Sequence, residues 1–258
     1  MSESTCAWCG RPVAGEGRLE GLCPSCLIQT ALVRSPVHYR VLSPLGSGAR
    51  GPVFLAEVIG ARRRLVTVKE IAIEAPNADD LERIDRLLDR LAALRHDALQ
   101  PYLDGEVNDA GRLRLVADYV VGSALDIYIR REHPPIATRA KLLAEVCRAI
   151  AFAHSHGFTH GRLRASDALV SVWDGAPRTR VRDVGLPELL GLSPDPTHDL
   201  VDLAKLVDLV ATGAEPMPTE LAATLEPLRR VGAGPASPAA VDTAAAAGRA
   251  AAALDHLA

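Results

Sequence analysis

The stretch Ala153–Val170, AHSHGFTHGRLRASDALV, decides how the rest of the chain is read. It begins as the end of a helix. Thr138–His154 places Leu142, Leu143, Val146, Ile150 and Ala153 at helical spacing, the buried stripe of a long amphipathic segment. A polar loop with His156 and His160 follows, then the apolar strand Ala168–Val172, a turn over Trp173–Pro177 and a returning strand Thr179–Arg182. A helix, a charged loop and a strand in this order place polar side chains on a loop held by two buried elements.

Composition bounds what surrounds this loop. The chain has 258 residues and is 48% apolar, enough for one moderate domain with a small appendage. A net charge of −3 argues against a general nucleic-acid binder. No apolar stretch follows a basic start, and no run is long enough to span a bilayer, so neither a signal peptide nor a membrane partner is expected. Leu221–Val231 and Pro238–Leu257 read as two helices joined by a Gly/Pro turn, and the Ala-rich tail, broken by Asp242, Arg249, Asp255 and His256, reads as a helix in water.

Near the N-terminus, Cys6-Ala-Trp-Cys9 and Cys23-Pro-Ser-Cys26 are separated by thirteen residues. Two close pairs across a loop supply a tetrahedral set of thiolates, and the segment resembles a zinc ribbon over residues 1–35. Such a site is structural, because four thiolates leave no open position for a substrate. Two local disulfides, or reduced cysteines without metal, are the alternatives. Paired cysteines of this kind point to a reducing, cytoplasmic setting. Cys147, alone on the long helix, reads as a core residue.

Between these regions lie a glycine-rich segment and a lysine strand. Gly46, Gly48, Gly51 and Val53 form G-x-G-x-x-G-x-V, whose glycines let backbone N–H groups approach phosphate oxygens. Leu65–Ile71 is a strand carrying Lys69. Taken singly, the first is a glycine-rich hairpin and the second a strand with a solvent-facing lysine. Ala78–Arg95 reads as a helix with Leu81, Ile84, Leu88, Leu91 and Leu94 on one face.

Taken together and in this order, the segments resemble a protein kinase. The family's catalytic loop H-R-D-L-x-x-x-N matches His160-Gly161-Arg162-Leu163-Arg164-Ala165-Ser166-Asp167. The resemblance implies an α+β, bilobal kinase-like fold over 36–258, with an N-lobe of about 36–120 and a truncated C-lobe of about 121–258. It implies that Lys69 holds ATP phosphates and that Gly46, Gly48, Gly51 and Val53 cover them. Ala117 becomes the gatekeeper, Asp118 to Val120 the hinge that bonds adenine through its backbone, and Leu169 a further nucleotide contact. Asp183-Val184-Gly185 is similar to D-F-G, so Asp183 and Asp167 become possible magnesium ligands. The His154, His156 and His160 spacing matches the end of the family's corresponding helix, which competes with a metal-site reading. Asp199 opens the family's central helix and would accept hydrogen bonds from the loop backbone; a plain helix cap is the alternative.

The departures from the family cluster on catalysis. Arg162 stands where the base should be, and a guanidinium neither takes a proton nor accepts a hydrogen bond. The helix position that should pair with Lys69 falls on Leu87, with Asp85 and Asp89 off that face. Fifteen residues, three of them proline, separate Asp183 from Asp199, without an A-P-E or a docking segment. If Arg162 pairs with Asp167 or Asp183, nucleotide binds without magnesium or not at all; otherwise Arg162 turns to solvent. The first reading is thus a catalytically impaired pseudokinase, a regulatory module with nucleotide and a protein as partners. A divergent active Ser/Thr kinase using Lys69, Asp167 and Asp183 is the second reading, and a scaffold that binds no nucleotide the third.

Overall fold

The computed structural model describes residues 4–5, 12–13, 39–48, 51–59, 64–73, 76–108, 111–211, 226 and 242–255. Cys6, Cys9, Cys23 and Cys26 lie outside them, as does the helix expected at 221–231 apart from Glu226. Two short strands, β1 (Ser4–Thr5) and β2 (Pro12–Val13), pair antiparallel with Ser4 opposite Val13. The chain divides into two compact units, Met1–Leu94 with Pro101–Tyr119, and Arg95–Gln100 with Val120–Ala258.

The first unit is a five-stranded antiparallel sheet with one helix. Its strands are β3 (Tyr39–Gly48), β4 (Gly51–Val58), β5 (Leu65–Ala72), β6 (Tyr102–Val107) and β7 (Arg112–Asp118). They lie in the order β3-β4-β5-β7-β6. Central β5 alternates: Val66 and Val68 are buried, while Thr67 and Lys69 on the other face are half-buried. Val66 and Val68 pack with Tyr39, Ala56 and Val116. Glu70 continues that buried face, and a charge there needs a partner. Arg114 of β7 supplies it, with Nε and Nη2 at 3.1 and 2.9 Å from Glu70 Oε1. The same guanidinium reaches Glu106 Oε1 of β6 at 2.5 Å.

Helix α1 (Ala78–Ala93) starts at a reciprocal cap, Asn77 accepting from the Asp80 N–H and Asp80 accepting from the Asn77 N–H. Ile84, Leu88 and Leu91 are buried. Leu88 seats on Gly105 of β6, where a Cβ would lie 2.5 Å from its Cδ2. Leu81, expected on this stripe, is instead 37% exposed. It sits just past the acidic, capped first turn, and the buried contact begins one turn later at Ile84. The helix stops two residues short of Arg95 because Leu94 turns extended.

The second unit contains β8 (Ser123–Ala124), α2 (Leu125–Glu132), α3 (Ile136–Ser155), β9 (Ala168–Trp173), β10 (Ala176–Val181), α4 (Leu186–Leu189), α5 (Thr197–Ala211) and α6 (Thr243–Asp255). Helix α3 is its axis, with Leu142, Leu143, Val146, Cys147 and Ile150 fully buried. The Ala-rich helix α6 packs on it through Ala247, Ala250, Ala251 and Leu254. Burial pushes the Cys147 thiol up to about 12, so it stays a protonated core group. Strands β9 and β10 form a hairpin whose turn is Asp174-Gly175 alone, both at positive φ. The longer turn expected through Pro177 is corrected: two left-handed residues match the strand twist and let Ala176 and Pro177 pair. Glu145 of α3 ties the hairpin down, accepting the Thr179 N–H at 2.6 Å. Arg95–Gln100 joins this unit because Val181 bonds Ala98 and Gln100 on either side, each at 2.8 Å.

The Glu70–Arg114 pair yields a stability test. Arg114→Ala leaves Glu70, with a side chain 3% exposed, charged and unpaired, and should cost about 3–5 kcal/mol in urea unfolding. Exposed Arg86→Ala, which loses only a surface pair to Glu82, should cost less than about 0.5 kcal/mol.

Candidate functional site

Asp199 organises the polar loop of the second unit. It sits in the first turn of α5 and is fully buried. Its Oδ2 accepts the His160 N–H at 2.8 Å and its Oδ1 the Gly161 N–H at 2.7 Å. His154, near the end of α3, places Nε2 2.9 Å from Oδ2. One carboxylate thus joins the end of α3, the loop and α5, as the resemblance implied. Just ahead of α5, the Asp195 carboxylate accepts the Thr197 N–H at 2.8 Å. Hydrogen bonds from the side chain and the backbone of Thr197 hold the Asp195 carboxyl below its usual range.

The loop is shaped further by steric limits. Gly161 has φ of +74°, and a Cβ there would lie 2.9 Å from Pro187 Cγ. No other residue fits both the backbone and the contact. Pro187 belongs to the short segment after Asp183, and so does Glu188, whose Oε1 accepts the Thr159 N–H and hydroxyl at 3.0 and 2.7 Å. Gly185 donates to the Thr159 carbonyl at 2.8 Å. The compressed segment is therefore fastened to the loop by its own side chains. Nothing in residue spacing signals the Thr159–Glu188 contact.

Arg162, at the base position, is exposed, and among the described residues no carboxylate pairs with it. Of its two alternatives Arg162 takes the solvent one, and Arg182 faces Asp167 instead. The Arg182 Nε and Nη2 both lie 3.4 Å from Asp167 Oδ1. Asp167 Oδ2 accepts the Arg164 N–H at 3.0 Å and faces His160 Nε2 at 3.9 Å. His160 Nδ1 accepts the Arg162 N–H at 3.3 Å, which keeps the ring proton on Nε2. Both oxygens of Asp167 thus face donors, Oδ1 the Arg182 guanidinium and Oδ2 the Arg164 N–H. Asp183 has φ of +64°, a left-handed turn that Asp tolerates better than most residues, and Val184 behind it is buried. Leu169 pairs across β9 with Ala124 and Arg180.

The three histidines go separate ways. His154 is committed to Asp199 and His160 to the loop, while His156 is exposed and bonds the Phe152 carbonyl. Among the described residues no group of three His, Cys, Asp or Glu side chains is placed to hold a metal ion.

In the first unit, Lys69 lies opposite Val53 on β4 and Leu115 on β7. Thr67, two residues earlier on the same face, lies opposite Ala117 and donates to its carbonyl at 3.3 Å. Gly46 and Gly51 have φ of +137° and +135°. A Cβ at Gly51 would lie 2.1 Å from the Glu70 carbonyl oxygen, so sheet packing alone already requires that glycine. The Asp118 carboxylate takes both Nε and Nη2 of Arg64, at 3.0 and 2.8 Å, and its N–H goes to Pro101. Val120 begins the longer stretch of the second unit and is buried. Leu87 of α1 is half-buried, and Asp85 and Asp89 face solvent.

Comparison with known proteins agrees with this geometry. Residues 39–198 match the family model described as protein tyrosine and serine/threonine kinase. The chain is 30% identical over 158 residues to the serine/threonine-protein kinase pkn2 of Myxococcus xanthus, covering 59% of this chain and 18% of that protein. It is 28% identical over 159 residues to the probable serine/threonine-protein kinase PknB of Lactococcus lactis, covering 59% and 24%. It is 26% identical over 154 residues to the serine/threonine-protein kinase shk2 of Schizosaccharomyces pombe, covering 58% and 26%. The matched part thus spans about a quarter or less of each relative's length.

The role of Asp199 is open to direct measurement. Asp199→Ala strands the buried His160 N–H, the half-buried Gly161 N–H and His154, and should cost at least about 3 kcal/mol in chemical unfolding. Arg162→Ala, at an exposed position, should stay within about 0.5 kcal/mol of the parent.

Proposed function

This chain belongs to the protein tyrosine and serine/threonine kinase family, and from that membership we propose that it is a kinase-fold binding module rather than a working phosphotransferase. One observation carries the reading. The loop is still gripped at His160 and Gly161 by a buried carboxylate, yet the side chain at the base position is an exposed guanidinium. The loop's scaffolding persists without the group that would take a proton from a substrate hydroxyl. A positioned base is worth about 10²–10⁴ in rate. The helix position expected to support Lys69 carries Leu87, and the segment after Asp183 is fastened to Thr159. Both features point the same way.

The same reading keeps ATP as ligand. Lys69 sits in strand register beside Val53, and Gly46 and Gly51 hold the hairpin in positive-φ conformations. Magnesium has no place in this binding mode at Asp167. Cys6, Cys9, Cys23 and Cys26 hold a structural zinc, and the segment they brace offers the contact surface for a protein partner in the cytoplasm.

Two measurements test the proposal. ATP at a hundredfold over its dissociation constant should stabilise the chain by about 2.7 kcal/mol and raise its unfolding midpoint by about 5–11 °C. Lys69→Ala should abolish that shift, and neither protein should turn ATP over with time. Turnover in the parent that Lys69→Ala removes would favour a divergent active kinase. Metal analysis of protein purified in reducing buffer should find zinc at about one ion per chain, lost when Cys6 and Cys9 become Ser. Full retention of zinc in that variant would overturn the ribbon.

A further inference from the structure

The contacts around Asp167 carry a consequence of their own, which rests on the reading of ATP as ligand. Asp167 closes a short 3-10 turn, Ala165–Asp167, and its carbonyl accepts the Arg182 N–H at 2.9 Å. That bond holds Arg182 beside Asp167 and places Asp183 next along the chain. The guanidinium then faces Asp167 Oδ1 through two nitrogens at 3.4 Å. The second oxygen is occupied by the Arg164 N–H at 3.0 Å.

A magnesium ion needs oxygen ligands at about 2.0–2.1 Å in a near-octahedral shell. A carboxylate already facing a guanidinium offers a poor start for that shell, and a divalent ion bound to it would sit within a few ångströms of a fixed positive charge. At that range the two positive charges repel each other strongly. Arginine is protonated at any ordinary pH, so the charge does not titrate away. The Arg182 side chain is 35% exposed, against 14% for Asp167, which leaves part of its donor fork open to solvent.

We propose that Arg182 is the resident cation of this site. Its guanidinium neutralises Asp167 where a divalent metal would otherwise do so, and the site takes a nucleoside triphosphate in its metal-free form. Arg182, not the conspicuous Arg162, thereby sets the metal dependence of the ligand.

The test uses ATP and Mn²⁺ as separate probes on the full chain. For the parent, ATP affinity read by thermal shift should change by less than about twofold between EDTA and excess magnesium. Arg182→Met should weaken metal-free binding and make ATP affinity rise by about tenfold or more with magnesium. Independently of nucleotide, the parent should show no Asp167-dependent Mn²⁺ signal by electron paramagnetic resonance. Arg182→Met should acquire such a signal, and adding Asp167→Ala should remove it. Arg182→Gln repeats the comparison where methionine compromises folding. A parent that binds Mn²⁺ through Asp167, or neutral variants at 182 that gain no Mn²⁺, would overturn the proposal. Absence of any ATP shift in either buffer would remove ATP as ligand, while the Mn²⁺ titrations still decide the role of Arg182.

Discussion

The buried carboxylate of Asp199 is the constraint on which the second unit depends. A fully buried charge is tolerated only where donors surround it, and here two loop N–H groups and the His154 ring do so. These bonds reach from α5 to the end of α3 and into the loop between α3 and β9. They fix the path of His160 and Gly161 irrespective of what residue 162 carries. A loop held by its backbone can lose its reactive side chain and keep its shape. That separation explains how Arg162 stands on a kinase-family loop without disturbing it.

The first unit uses a related device in its sheet. Glu70, Arg114 and Glu106 form a charged row across three strands, each residue directly opposite the next. The row lies on the face opposite Lys69, because neighbouring residues of a strand point to opposite sides. Its pairing fixes the register of β5 against β7, and that register places Lys69 between Val53 and Leu115. Close packing does similar work at Gly51, which the Glu70 carbonyl admits only as glycine. A glycine-rich pattern thus carries a structural demand as well as any demand made by phosphate.

Much of the fold was legible in the residues. The strand with Lys69, the long helix through Ile150, the hairpin after the loop and the partnership of Asp199 with the loop backbone all follow from periodicity and motif order. The misses have physical causes. Leu81 follows helical spacing, yet the buried contact of α1 begins one turn later, which a periodicity cannot know. The turn at Asp174-Gly175 was read too long because Pro177 looks like a breaker, whereas a strand can hold proline where no ladder N–H is needed. Arg182 went unnoticed because an arginine at a strand end has no signature of its own.

By itself the sequence determined the order of elements, the family to which that order belongs, and the replacement of a proton-accepting residue by Arg162. Those facts are carried by residue identity and local spacing. Tertiary structure alone decided which guanidinium meets Asp167, which side chain fastens the segment after Asp183, and which acid neutralises Arg114. Each of these is a meeting of residues 15 to 44 positions apart in the chain. Such meetings depend on backbone paths set by packing, and charges of one sign are interchangeable until those paths bring one of them within reach.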